Sequence, residues 1–324
     1  GEIMKSDPME FAKNILSRVS RSFALTIPML DEEIKNEVLL AYLQDRILDN
    51  FEDEIHPPDL ELQKEMMDKV SRIFSTEEYD RSSDFRVIKD KSELIESESL
   101  QKLTKNIDLI YQCYQDFDLD IQKISHKWLQ EMNQGMQKYL TKEVQTFADL
   151  DEYCYYVAGT VGGFLTETII YKFDINQKKQ QILLDNFNQA GLFLQKVNLI
   201  RDIREDLASR DKHFWPLKEL NISEVELSNS RNEEKALEAL SKMLSDLKSH
   251  IPALKKYYQA LPKELKGYKK FFAVNNALGL ATIDKLENNA DVFYGKKPIK
   301  VSKLKFLNII RAPEKKFLDY CSQE

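Results

Sequence analysis

The chain has 324 residues, 42% of them hydrophobic, which is enough for a sizeable core. Its formal charge, 47 − 54 = −7, leaves no basic excess to neutralise phosphates, so nucleic acid is excluded as a main partner. Only 9 Gly and 9 Pro argue against a turn-rich β protein and for an all-α chain.

Cys113, Cys154 and Cys321 lie far apart and are odd in number. They show neither metal-ligand spacing nor a disulfide framework, so a reducing cytoplasm is the expected setting. No run of about 18 apolar residues occurs. The best stretch, residues 153–165, is broken by Thr160 and three glycines. No signal peptide is expected, and the Gly-Glu-Ile before Met4 reads as an expression leftover. A soluble, cytoplasmic protein is expected, with peripheral membrane contact as the most it would make with lipid.

Residues 8–26 carry apolar side chains at helical spacing (Phe11, Ile15, Val19, Phe23) and run into SRSFALTIP, where Pro28 closes the segment. Ser20-Arg21-Ser22 reads either as a polar break or as part of a site. Asp31 is placed to cap a long helix from Glu32 to about residue 54, ended by His56-Pro57-Pro58. In that helix Asp49 and Asp53 stand at i and i+4 and share a face. Arg46 lies one turn earlier and Tyr42 two turns earlier. One such pair is more often a solvated acidic edge than a site.

Residues 75–95 are polar and are expected to form a surface loop. Helical periodicity returns from residue 100 to about 140, where Trp128, Met132 and Met136 read as packing and His126 has no evident partner. Residues 149–171 follow, with Asp149 or Asp151 placed to cap them. Gly159, Gly162 and Gly163 each cost roughly 1 kcal/mol of helix propensity against Ala. They imply that another helix or a bulky ligand comes close. Tyr153, Val157, Val161 and Phe164 fall near one face and suggest an apolar wall with one hydroxyl.

FLQKVNLIRDIRED, residues 193–206, has enough apolar residues for a buried helix, yet Gln195, Asn198, Asp202 and Asp206 form a polar stripe at steps of three, four and four. Burying carboxylates there is costly unless a cation compensates them. Arg210, Lys212 and His213 then suggest a mobile cationic loop stopped by Trp215-Pro216. Helices are expected over about 233–250, to about Ala260 after a break at Ile251-Pro252, and over 269–290. The tail is basic near Lys296, Lys297, Lys300, Lys303 and Lys305.

One acidic pair means little, but two on long apolar helices suggest carboxylates meeting in a helical bundle core. Oxygen ligands without Cys or His suit a hard cation such as Mg²⁺, which keeps waters and bridges substrate phosphates. Arg46 and Arg201 flank the clusters and are suited to phosphate oxygens. The chemistry such a set fits is departure of diphosphate from an allylic carbon, with apolar walls shielding the carbocation from water.

SRSFA (20–24), YLQDRILDNFED (42–53), YCYYVAGTVGG (153–163), FLQKVNLIRDIRED (193–206), FWP (214–216) and FFAVNNALGLAT through NNADVFYG (271–295) together resemble the squalene and phytoene synthases, over roughly residues 15–305. FWP and the YCxYVAG string are more similar to squalene synthases. The resemblance implies a single all-α isoprenoid-synthase domain spanning 1–324 around a central cavity. It implies head-to-head condensation of two farnesyl diphosphates to presqualene diphosphate, then reduction by NADPH to squalene. By position, Asp49, Asp53, Asp202 and Asp206 would hold Mg²⁺, supported by Glu52 and Asn198. Arg21, Arg46 and Arg201 would contact diphosphate. Ser20, Ser22 and Phe23 would line the donor site, with Tyr42, Val157 and Gln195 also contacting substrate. Tyr153 would sit where a proton is removed, although a phenol of pKa about 10 is a poor base without help. Arg21, Arg46, Asn198 and Lys300 would meet NADPH, in a monomer or weak dimer.

Three departures stand out. Pro298-Ile299-Lys300 replaces a Lys-x-Arg pair, and Lys is not equivalent to Arg at a phosphate fork. Asn275-Asn276 replaces Pro-Gln, and Asp45 adds a carboxylate one turn before Asp49. The C-terminal membrane anchor of eukaryotic squalene synthases is not found. Condensation without hydride, giving dehydrosqualene or phytoene, is the alternative within the family; a non-catalytic lipid-binding or assembly role is the alternative outside it.

Overall fold

A computed structural model describes residues 7–210 and 212–323, the side chains of 209 and 210 excepted. The leader before Met4 and the Arg210 side chain therefore lie outside the described residues. Among these the chain is all α-helix and turns, with one isolated antiparallel bridge, Ile55 to Ile95, and no strand. It divides into two compact units, the first running to Thr141 with Glu167–Phe173 added, the second comprising Lys142–Thr166 and the chain from Asp174 onward.

In the first unit the helix Glu32–Asp53 is central and packs against helices Leu60–Ile73, Ile107–Gln115 and Leu119–Lys138. Its Leu40, Leu43, Ile47, Leu48 and Phe51 are fully buried, as the 3.6-residue repeat requires. Residues 8–26 are two helices, not one. Pro8–Val19 ends at Ser20, whose φ of −153° leaves the helical region, and Ser20 Oγ then accepts from Phe23 N–H to cap Arg21–Thr26. Ser20 is thus a break. Residues 75–95 are not a plain loop, because Ser82–Lys91 is helical. Its few apolar residues, with Ile88 buried, gave little periodic signal. His126, unpartnered in the sequence reading, has Nε2 3.5 Å from Ser71 Oγ.

In the second unit the helix Gln177–Arg201 is central and packs against Ile251–Ala260, Glu233–Lys248, Lys266–Leu286 and a π-helical turn at Tyr155–Gly159. The helix before that turn, Phe147–Cys154, is capped by neither Asp149 nor Asp151. Thr146 caps it, and Asp149 completes a capping box by accepting from the Thr146 N–H. The glycines serve helix packing: a Cβ on Gly162 would lie 2.9 Å from the Phe187 carbonyl oxygen, and one on Gly191 2.8 Å from that of Ala158.

A polar cluster locks this centre. Lys196, 1% exposed, places Nζ 2.5 Å from Asp151 Oδ1, 2.6 Å from Asp246 Oδ2 and 2.8 Å from His250 Nε2. Burial, reinforced by the Lys196 charge, lowers His250 to about 4, so the ring is neutral and accepts from the ammonium. The cluster ties three helices at one buried point, and nothing in the local sequence announced it.

Candidate active site

In the first unit the predicted residues come together around Arg46. Its Nη1 lies 2.5 Å from Asp49 Oδ2 and its Nη2 3.3 Å from Asp53 Oδ1. Nε and Nη2 also donate to Asn50 Oδ1 at 3.0 and 2.9 Å. Asn50 is fully buried and donates in turn to Thr104 Oγ1 at 3.0 Å, which fixes the guanidinium from behind. Sequence reading gave Asn50 no role. Its only signal was its i+4 spacing from Arg46.

Asp49, Glu52 and Asp53 can each offer one carboxylate oxygen within 4.8 Å of the others. Burial, then Asp49, push Asp53 well above the usual carboxylate range, against the pull of Arg46. Asp45 is raised in the same way by burial and Asp49. Burial opposes the Arg46 charge, but Asp49 and Asp53 outweigh it and hold the guanidinium fully protonated. Crowded carboxylates, all oxygen donors, leave unbalanced negative charge; this donor set fits a hard divalent cation.

Ser20, Phe23 and Tyr42 gather one to two turns back along the same helix face. The Phe23 and Tyr42 rings are 4.9 Å apart, and burial raises the Tyr42 phenol while its hydrogen bond with Ser20 lowers it. Arg21 and Ser22 are exposed and take no part in this contact.

In the second unit the polar stripe differs from expectation. The regular helix stops at Arg201; Asp202, with φ −97° and ψ 8°, begins a short helix Ile203–Glu205, and a second π-helical turn spans Asp206–Arg210. The stripe is not buried as a whole. Asn198 is exposed, the Asp202 side chain is 38% exposed, and only Asp206 is buried. The cation Asp202 meets is its neighbour: Arg201 Nε and Nη2 donate to its two oxygens at 2.8 and 3.1 Å. That hydrogen bond, more than burial, raises Arg201. Gln195 is half-buried on the same helix.

Tyr153, 6% exposed, stacks on Phe214 with ring centroids 3.9 Å apart and planes 8° from parallel. Sequence reading quoted Phe214 only within FWP and missed this partner. The fully buried Trp215 donates from Nε1 to the Leu199 carbonyl at 2.9 Å, satisfying an oxygen of the last turn before Asp202. The segment after Asp206 is thereby tied back to the stripe helix. Tyr153, Val157, Val161 and Phe164 do not form one uniform wall, because the π-helical turn intervenes and Val157 and Val161 are only half-buried. Lys300 is exposed in the basic tail, as are Lys296 and Lys297. Exposed ammonium groups of this kind fit a phosphate.

An all-α chain with two Arg-paired carboxylate clusters on long helices is the class that isoprenoid-diphosphate chemistry uses. The chain matches the Squalene/phytoene synthase family over residues 16–305, and it belongs to that family. A squalene synthase of Nicotiana benthamiana is 31% identical over 308 residues, covering 91% of this chain and 68% of that relative. A protein of Arabidopsis thaliana named inactive squalene synthase 2 is also 31% identical, covering 90% and 68%. Among solved structures, TcSQS with the ligand BPH1237 superposes with a TM-score of 0.85 at 26% identity, covering 98% of this chain and 90% of the other. A dehydrosqualene synthase, at 16% identity and a TM-score of 0.56, shares the fold.

Proposed function

We propose that this chain is a Mg²⁺-dependent prenyltransferase, acting as one isoprenoid-synthase domain. It joins two farnesyl diphosphates head to head into presqualene diphosphate and reduces that with NADPH to squalene. The observation that carries the reading is the paired arrangement Arg46/Asp49/Asp53 and Arg201/Asp202/Asp206 in a squalene/phytoene synthase family chain.

Asp49, Glu52 and Asp53 would hold one group of cations; Asp202 and Asp206, with Asn198, would hold another. Bound Mg²⁺ supplies the Lewis acidity that stabilises departing diphosphate. Arg46 and Arg201 carry permanent charge beside these carboxylates and take the diphosphate oxygens, with Arg21 as an exposed further contact. Ser20, Ser22, Phe23 and Tyr42 orient the donor chain, and Val157 and Gln195 contact it in the other unit. Tyr153, held by Phe214, is placed to receive a proton only with help from a neighbouring anion. The ammonium of Lys300, with Lys296 and Lys297 nearby, serves the NADPH phosphate.

Mass-spectrometric identification of the product tests this. Farnesyl diphosphate with Mg²⁺ and NADPH should give squalene, and chelation should abolish it. Two second readings have specific support. Pro298 weakens the phosphate fork, and under that reading the product is dehydrosqualene with or without NADPH. The relative named inactive supports a non-catalytic role, and under that reading no C30 product forms at all.

A further inference from the structure

Residues 296–311 hold six cationic side chains (Lys296, Lys297, Lys300, Lys303, Lys305, Arg311) and no Asp or Glu, in a chain whose net charge is −7. The helix Lys303–Arg311 is two-sided. Ile309 is fully buried, and Lys305 turns inward to Asp284 at 3.2 Å and over the Tyr320 ring. On its other side Leu304 is 70% exposed and Leu307 48%, with Lys303 and Arg311 exposed beside them. Leu304, Leu307 and Arg311 are spaced three and four apart and share one face. Two bare leucines framed by unpaired cations are unfavourable against water but complementary to an anionic lipid surface, where leucines enter the headgroup boundary and lysines meet phosphates.

We infer that the outer face of Lys303–Arg311 docks this protein peripherally on anionic bilayers. No helix among the described residues is long and apolar enough to cross a membrane, so this contact is interfacial. The inference does not depend on the reaction proposed above, because it uses residues outside that machinery and needs no substrate.

The test is co-sedimentation with phosphatidylcholine vesicles, with and without about 30 mol% phosphatidylserine, at low and high salt. Binding should require the anionic lipid and weaken with salt. Leu304→Asn/Leu307→Asn and, separately, Lys303→Glu/Arg311→Glu should each weaken it about tenfold or more. Both variants should keep the parent's circular dichroism and its turnover, if any, of detergent-dispersed farnesyl diphosphate. Equal binding to neutral and anionic vesicles, unaltered binding by the leucine variant, or no binding overturns the inference. A parent that sediments as a dimer and a leucine variant that sediments as a monomer would assign the face to a second copy instead, and would overturn it too. Failure to make a C30 product leaves this result untouched.

Discussion

The Arg46 guanidinium approaches Asp49 to 2.5 Å and is held from its other edge by the buried Asn50. A planar fork is needed to reach Asp49, Asp53 and Asn50 together, and a lysine ammonium cannot span them. Arg46→Lys should therefore lower kcat/KM for farnesyl diphosphate about tenfold or more despite the conserved charge, and Asp49→Asn should lower it by about 10²–10³. Steady-state kinetics check both; values within twofold of the parent would remove this cluster from the reaction.

Asp202 is half-exposed and its carboxylate is already neutralised by Arg201, so Asp202→Asn should barely change stability, by under about 0.5 kcal/mol. Turnover, by contrast, should fall by about 10² or more. Urea unfolding beside product assay separates the two effects. A large stability loss with turnover intact would mark Asp202 as structural.

Lys196→Met should be costly in the opposite way. It removes the one cation among Asp151, Asp246 and His250, and breaking a buried pair costs about 3 kcal/mol even though Asp151 can turn to water. Denaturant midpoints would show it, and Lys196→Arg should not fully rescue a pocket shaped for an ammonium.

The same cluster predicts an acid-sensitive fold. His250, at about 4 when folded against 6.5 for the free ring, binds fewer protons than the unfolded chain between those values. Stability is unaffected by this ring above pH 6.5, falls as pH drops through that window and levels off near 4, with a total of roughly 3 kcal/mol. Asp246, raised by burial, works against this loss by taking up a proton earlier when folded. A His250→Gln variant should thus lose less stability between pH 6.5 and 4.5 than the parent in parallel urea titrations. Equal slopes would contradict it.

Gly191→Ala should destabilise by about 1–3 kcal/mol, since its methyl would meet the backbone of Ala158 and Gly159, which cannot step aside. Gly159→Ala meets the Asn188 side chain first, which can rotate, and should cost less. Thermal melts of the two variants rank them directly.

Much of the architecture was legible because its signals are local. The Glu32–Asp53 helix, its Asp49/Asp53 spacing and its end before His56-Pro57 follow from periodicity and from a breaker. The Thr146–Asp149 capping box was also written locally, as Thr-x-x-Asp, but the later aspartates drew the eye. The helix Ser82–Lys91 was hidden because its surface is almost wholly polar. Lys196 could not be placed, since its partners lie 45, 50 and 54 residues away. The exposure of Asn198 and Asp202 was misread for a related reason: apolar neighbours in sequence sit on the other side of the helix, and burial is set by what packs there.

The π-helical turn at Tyr155–Gly159 makes residue count as informative as residue type. A regular helix advances about 100° per residue. Excising one residue from that wide turn would let it relax to ordinary pitch and spin Thr160–Lys172 by about that angle. Every side chain would survive such a deletion, yet Gly162 would no longer meet Phe187, and a bulkier face would be driven into the gap.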